Sequence, residues 1–298
     1  MPTTDDSPPA LLTAEVPGSA PRASTGEDQV LGQSPGSRGR TRLTRETLVV
    51  RGLQVSIGLA LLGLWQLAAD RKWPDPVLAK TPLQSWDYLV SVARSGDLWS
   101  NTRATMSAVL IAWVLAGVAG VVAGLALGLM PRTERVLTPY LDAANAMPRI
   151  ALAPLLIVAL GIGTTAKVAL AATLVFFIVL SGARAGVRSA DAEWLRLSTV
   201  LGARKHHVFF KVLLPVATPG IFAALRLGLI YSLLGVVGSE LISARDGLGQ
   251  LIAYDSSVFQ MDGVYGILVL LAVIAVALNQ LMGLVERWLL RWQPPADR

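Results

Sequence analysis

Very few residues of this chain could carry covalent chemistry. It has 298 residues and no Cys, which removes thiol nucleophiles, disulfides and thiolate metal sites together. Its two histidines, His206 and His207, are neighbours. On a helix, adjacent side chains point about 100° apart, and no Asp, Glu or His at ligand spacing completes a metal set around them. They read as surface residues. Gly161-Ile162-Gly163-Thr164-Thr165-Ala166 matches the G-x-G-x-x-A dinucleotide pattern. That pattern works only in a βαβ unit with an acidic residue about 20 positions on; here position 186 is Gly and apolar segments flank the match. No G-x4-G-K-S/T phosphate loop occurs. The sequence therefore implies no catalytic residue, no metal and no cofactor, and any ATP used must be hydrolysed by another chain.

Two other places hold groups that need a physical account. Arg226 lies inside an apolar run. A charge at the bilayer centre costs about 2.5–3.5 kcal/mol on insertion scales, so it must face protein or water. Counted from Gly220 it is roughly 9 Å into a helix, within snorkelling reach of an interface. It is either a structural anchor or a residue of a transport path. The second place is the loop 189–215. Trp194, Leu197 and Leu201 form one helical stripe, Gly202 is a helix stop, and a second short helix over 204–213 carries Val208, Lys211 and Val212. Pro215 is expected to separate that helix from the next apolar run. Two short amphipathic helices hinged at a Gly suit docking into a groove on a soluble partner, or lying on lipid headgroups.

The elements around these groups are set by composition. The chain is 53% hydrophobic and only 15% charged, with a mean hydropathy of +0.55. Soluble domains run nearer 25% charged, so lipid is the main solvent. Residues 1–47 are rich in Pro, Ser, Gly and Thr and read as a disordered tail. It ends in a basic cluster, Arg38, Arg40, Arg42 and Arg45. The first apolar stretch comes only near residue 52, later than a secretory signal would place it, so none is read. Six apolar segments follow, at about 52–69, 104–130, 138–161, 165–183, 217–238 and 264–289, against a requirement of roughly 20 apolar residues per crossing. The third contains Pro139, Pro148 and Pro154 and is expected to be kinked or broken. Residues 48–292 thus form one all-α membrane domain of about six transmembrane helices, with 293–298 a short C-terminal tail.

The net charge of +6 could point to nucleic acid, but its distribution points to a membrane. With both termini inside, the inner segments hold 18 Lys and Arg and the outer segments 7, the bias of a protein that keeps positive charge in the cytoplasm. That puts the 189–215 loop in the cytoplasm, between spans 4 and 5. The outer loop 70–103 holds a helix that starts at Thr81-Pro82, with Leu83, Trp86, Val90 and Ala93 on one stripe, suited to the membrane surface or a neighbour. Span 2 carries Gly120, Gly124 and Gly128 four residues apart. Small residues on one face let another backbone approach closely.

At the 189–215 loop the chain resembles the membrane subunits of ABC importers of the binding-protein-dependent type. Their cytoplasmic loop is written E-A-A-x3-G-x9-I-x-L-P. Gly202, Val212 and Leu214-Pro215 fit its second half, and Leu201 and Ala203 flank the Gly. Further stretches, among them Leu160-Gly161-Ile162-Gly163, Leu225-Arg226-Leu227 and Gly247-Leu248-Gly249-Gln250-Leu251-Ile252, resemble the branch that imports nitrate, taurine and aliphatic sulfonates. The family's E-A-A falls on Arg196-Leu197-Ser198, so its glutamate is replaced by the opposite charge; Glu193 stands one turn earlier. The resemblance implies a multi-pass permease of the bacterial inner membrane and a separate ABC ATPase docked on the 189–215 loop. It also implies an extracytoplasmic solute-binding protein and a second permease copy, with no nucleic-acid partner. The rival is an ion-coupled secondary transporter, which needs acidic residues within its spans; here Asp142 and Glu240 lie near span ends.

Overall fold

The computed structural model describes residues 38–73 and 75–290, and every regular element among them is helical. The chain divides into two units, residues 1–58 and 59–298. Of the tail read over 1–47, residues 1–37 lie outside the described residues, while 38–47 are the first turns of helix α1, Arg38–Asp70. The C-terminal tail 293–298 also lies outside. Within the first unit the side chains of Leu48, Leu53 and Ile57 are exposed, as on a helix with lipid around it.

The second unit takes the chain from Leu59 onward. The end of α1 is held by Trp65, whose Nε1–H donates to the Lys80 carbonyl at 3.0 Å and whose ring meets Tyr265 edge-on. Helix α2, Pro82–Ser95, starts on a capping box between Thr81 and Gln84 and stops at Gly96, which has φ 89°. Helix α3, Asp97–Leu129, follows directly. Then come α4, Pro131–Ala146, a 3-10 turn over Arg149–Leu152, α5, Ala153–Leu160, and α6, Thr164–Arg188. Helix α7 is Ala192–Val200 and α8 is Lys205–Val208. Helix α9, Leu214–Ile242, α10, Leu248–Ser257, and α11, Met261–Leu289, complete the unit.

Among the described residues five helices are long and apolar enough to cross a membrane, and a sixth crossing exists if α4 and residues 149–160 count as one bent span. The two legs of that span meet at 79°. The second leg is about 18 Å long at 1.5 Å per residue, short of the roughly 30 Å hydrocarbon core. The break falls at Met147-Pro148. Pro139 is carried inside α4, and Pro154 sits in the first turn of α5, where a missing N–H leaves no bond unmade.

Helix α6 lies between α3 and α9. On the α3 side a Cβ at Gly124 would come within 2.6 Å of the Leu180 carbonyl, and one at Gly120 within 2.9 Å of the Phe176 carbonyl; one at Gly128 would meet Val187. On the α9 side a Cβ at Gly182 would collide with Ala224, and one at Gly186 would lie 2.8 Å from the Ala217 carbonyl. The second seam has the same four-residue spacing as the first. Val175, Val179, Ala183 and Ala217 are fully enclosed between the three helices. Two side chains bridge α3 and α9: the Trp113 indole N–H donates to the Leu225 carbonyl at 2.9 Å, and the Ser232 hydroxyl to the Val109 carbonyl at 2.8 Å. Close backbones and hydrogen bonds between helices replace the hydrophobic drive that lipid does not supply.

One local expectation changes. Pro215 does not separate a short helix from α9. Residues Lys205–Ile242 form one continuous rod, with a π turn over Phe209–Leu213 in which the Leu214 N–H donates to the Phe209 carbonyl. The wider turn takes up the proline without a break. In helix α2, Leu83 and Trp86 of the stripe face outward, Ala93 packs against the core, and Ser85 is buried. Gly266 on α11 lets the Ser85 backbone approach, and Tyr88 is tied to α10, which sets the rotation.

Candidate functional site

The two ends of the unit hold its polar and exposed features. At the end where α6 leaves for α9, α7 begins with the Glu193 N–H donating to the Asp191 carboxylate at 2.9 Å. It ends in a paired turn: Gly202 takes φ 76° while the Ala203 N–H donates back to the Ser198 carbonyl at 3.0 Å. This is the glycine-dependent helix stop, in which the left-handed residue frees the next N–H to reach back five residues. Nothing lies within 4 Å of a Cβ added at Gly202, so backbone conformation alone calls for glycine there. Arg196 and Glu193 are exposed. Trp194, Leu197 and Leu201 are 65%, 60% and 76% exposed, a bare apolar face on a short helix. Leu214 and Pro215 are half-buried in the rod, and their neighbour Leu213 packs with Ala183, Val187 and Ala217. The loop is therefore free in its first half and locked to α6 in its second. Beneath it, Glu134 on α4 is buried and pairs with Arg184 at 3.0 Å and Arg188 at 2.6 Å.

At the opposite end a buried charge network joins four helices. Lys167, in the first turn of α6, and Glu240, near the end of α9, are each about 1% exposed and pair at 3.1 Å. Lys167 also donates to the Asp246 carbonyl and carboxylate, both at 2.6 Å. Glu240 accepts from the Thr105 hydroxyl on α3 at 3.0 Å and from the Gly249 N–H on α10 at 2.9 Å. Thr105 accepts in turn from the Leu248 N–H at 2.8 Å, and Asn101 from the Gly247 N–H at 2.7 Å. The N-terminus of α10 is thus capped by side chains of α3 and α9, as its unpaired N–H groups require. Nearby, the Tyr88 hydroxyl donates to the Asp255 carboxylate at 2.8 Å. Burial holds the Asp255 carboxyl above the usual carboxylate range against the pull of that hydrogen bond, and Asp262 raises it further. Burial and the Asp255 bond likewise raise the Tyr88 hydroxyl above its ordinary value.

Arg226 faces α11. Its Nε–H donates to the Asn279 side chain at 2.7 Å and it pairs with Glu286 at 3.5 Å. Gly283 leaves room for the guanidinium. Gly120, Gly124 and Gly128 lie along the α3–α6 seam, apart from both ends. Reading along the chain missed Lys167, Glu240 and Asp246 as a group; only their placement at the edges of apolar runs hinted at them. Among the described residues no group of three His, Asp or Glu could hold a metal.

These features define a class: a multi-pass helical membrane protein with a bare apolar face at one end and a fastened cap at the other. The family model described as "Binding-protein-dependent transport system inner membrane component" matches residues 116–292. The chain belongs to that family, the membrane permeases of ABC importers. It is 30% identical over 249 residues to the taurine transport system permease protein TauC of Escherichia coli (strain K12), covering 81% of this chain and 90% of that one. It is 34% identical over 243 residues to the riboflavin transport system permease protein RibX of Chloroflexus aurantiacus, with the same coverage. Its fold is similar to a chain of the MetNI methionine ABC transporter in an inward-facing conformation. That match has a TM-score of 0.55 and 20% identity, over 64% of this chain and 96% of that one.

Proposed function

We propose that the chain is the membrane-spanning half of an ATP-driven importer for a small, anionic solute such as a sulfonate, taurine or nitrate. The exposed apolar face of α7 carries the reading. A soluble ATPase seats on Trp194, Leu197 and Leu201 and pushes the loop at Gly202. The rod from Lys205 to Ile242 and its seam with α6 carry that push across the bilayer, a coupling between two sites through one two-state element. Arg196 faces the ATPase where the family carries glutamate. Both termini and the 189–215 loop lie in the cytoplasm, which the distribution of Lys and Arg supports. A solute-binding protein meets the α2 and α10 end, and a second copy of this chain completes the pathway. The taurine relative supports a solute with an anionic sulfonate group; the riboflavin relative makes riboflavin the comparison compound.

The Lys167–Glu240 arrangement favours this over ion-coupled transport. Glu240 is paired, and its acceptors are filled from within, so that carboxylate is occupied rather than free to carry a proton. The test is ATP hydrolysis and taurine uptake by the complete transporter in liposomes. Gly202→Val is expected to reduce both at least tenfold, because a β-branched residue at that φ costs about 1–2 kcal/mol and tilts α7. Wild-type coupling in Gly202→Val would overturn the lever.

A further inference from the structure

We propose that Arg149 is the cationic element of a mid-membrane site for a small organic anion, formed where the bent α4–α5 pair meets α6. The proposal rests on the importer reading and names the contact its solute makes. Arg149 opens the 3-10 turn between the two legs, and its Cζ lies 4.6 Å from the centre of the Phe177 ring. Phe177 is thirteen residues from Thr164 and eleven from Arg188. That is about 20 Å from one end of α6 and 16 Å from the other, the middle of the hydrocarbon layer.

A guanidinium at that depth needs a partner. The cations of α6 and α9 have one: Lys167, Arg184, Arg188 and Arg226 each face a carboxylate. Arg149 has none among the described residues. One of its two terminal nitrogens donates to the carbonyl and side-chain oxygen of Asn145, which leaves most of its five donors unused. An arginine presents those donors as a fork that matches a planar or trigonal oxyanion.

The space is present as well. An open groove of about 390 Å³ runs between α3 and α6, lined by Ala116, Ala119, Thr173, Phe176 and Phe177, with Arg149 at its Phe177 edge rather than in its lining. Phe177 forms one wall and also carries Arg149 on its face. Phe176 stands edge-on to it at 5.2 Å. Broken helices at the bilayer midplane are where transport proteins expose polar groups to a solute. The ligand class is an anionic headgroup on a short apolar or aromatic body.

The absence of Cys makes a direct test available. Thr173→Cys in the full-length protein places one thiol on the groove wall. Its reaction rates with an anionic reagent, sulfonatoethyl methanethiosulfonate, and a cationic one, trimethylammonioethyl methanethiosulfonate, are compared in liposomes. The anionic-to-cationic ratio is expected to fall about tenfold on adding Arg149→Gln, and to persist with Arg149→Lys, since a unit charge is strongly felt at this dielectric. An unchanged ratio with Arg149→Gln, or a thiol that reacts with neither reagent, would overturn the site. Neither measurement needs transport. If the complete wild-type transporter moves no probe while the ratio still depends on Arg149, it is the importer reading that has failed.

Discussion

The two ends of the second unit solve opposite problems. At the α10 end, Lys167 and Glu240 are enclosed and answered from within: with Thr105, the first N–H groups of α10 and the exposed Asp246 they close on each other. At the α7 end, large apolar side chains stand bare on a nine-residue helix, hinged by one left-handed glycine. The first end is closed by its own side chains. The second leaves Trp194, Leu197 and Leu201 uncovered among the described residues. A buried ion pair adds little over a well-packed apolar pair, but removing one member is costly; an exposed leucine costs little to change. The contrast therefore predicts where stability and where coupling reside.

The largest effect is expected from Lys167→Met, which leaves Glu240 buried without its counter-charge. The loss is about 3–5 kcal/mol of stability, read by thermal or denaturant unfolding in detergent. The double variant Lys167→Met with Glu240→Leu recovers most of it. A stable single variant would mean that the ion pair does not hold this end together.

A smaller, pH-dependent effect belongs to Tyr88 and Asp255. Asp255 has a higher pKa folded than unfolded, so the folded state holds the proton more tightly. Its contribution is present in acid and is lost as pH rises from the ordinary carboxylate value through the raised one. Hydrogen exchange of α2 is expected to quicken across that window, and Asp255→Asn to abolish the pH dependence. Tyr88→Phe removes a net contribution of about 1 kcal/mol and quickens exchange at every pH.

The smallest effect on stability is expected from Leu197→Asp. Unfolding should shift by no more than about 0.5 kcal/mol, while stimulation of the ATPase by the permease falls away. Loss of both together would show that α7 is part of the core.

The sequence made one of these regions legible and hid the other. The loop announces itself locally: an amphipathic stripe, a stopping Gly and a proline lie within thirty residues of each other. The long apolar runs and the break in the third span are equally local signals. Even there Pro215 misled, because a π turn absorbs what an α-helix rejects. The Lys167–Glu240 pair is 73 residues apart in the chain, and no periodicity joins the two. Helix α10 was hidden for the same reason, since its start is capped by residues of α3 and α9. The Gly182–Gly186 seam could have been read by the spacing that revealed Gly120, Gly124 and Gly128. The depth of Arg149 required the fold, because only the 79° bend brings it beside the middle of α6.

The Lys167–Glu240 pair also sets an order of events during synthesis. Lys167 emerges 73 residues before its partner, which at 5–20 residues per second is roughly four to fifteen seconds. For that interval α6 has to enter the membrane with an unanswered cation. Its place in the first helical turn lets the ammonium wait in the headgroup layer, its methylenes in the lipid. Only when α9 arrives with Glu240 can the lysine be drawn inside. A chain truncated before residue 240 lacks the carboxylate that answers Lys167 in the folded protein.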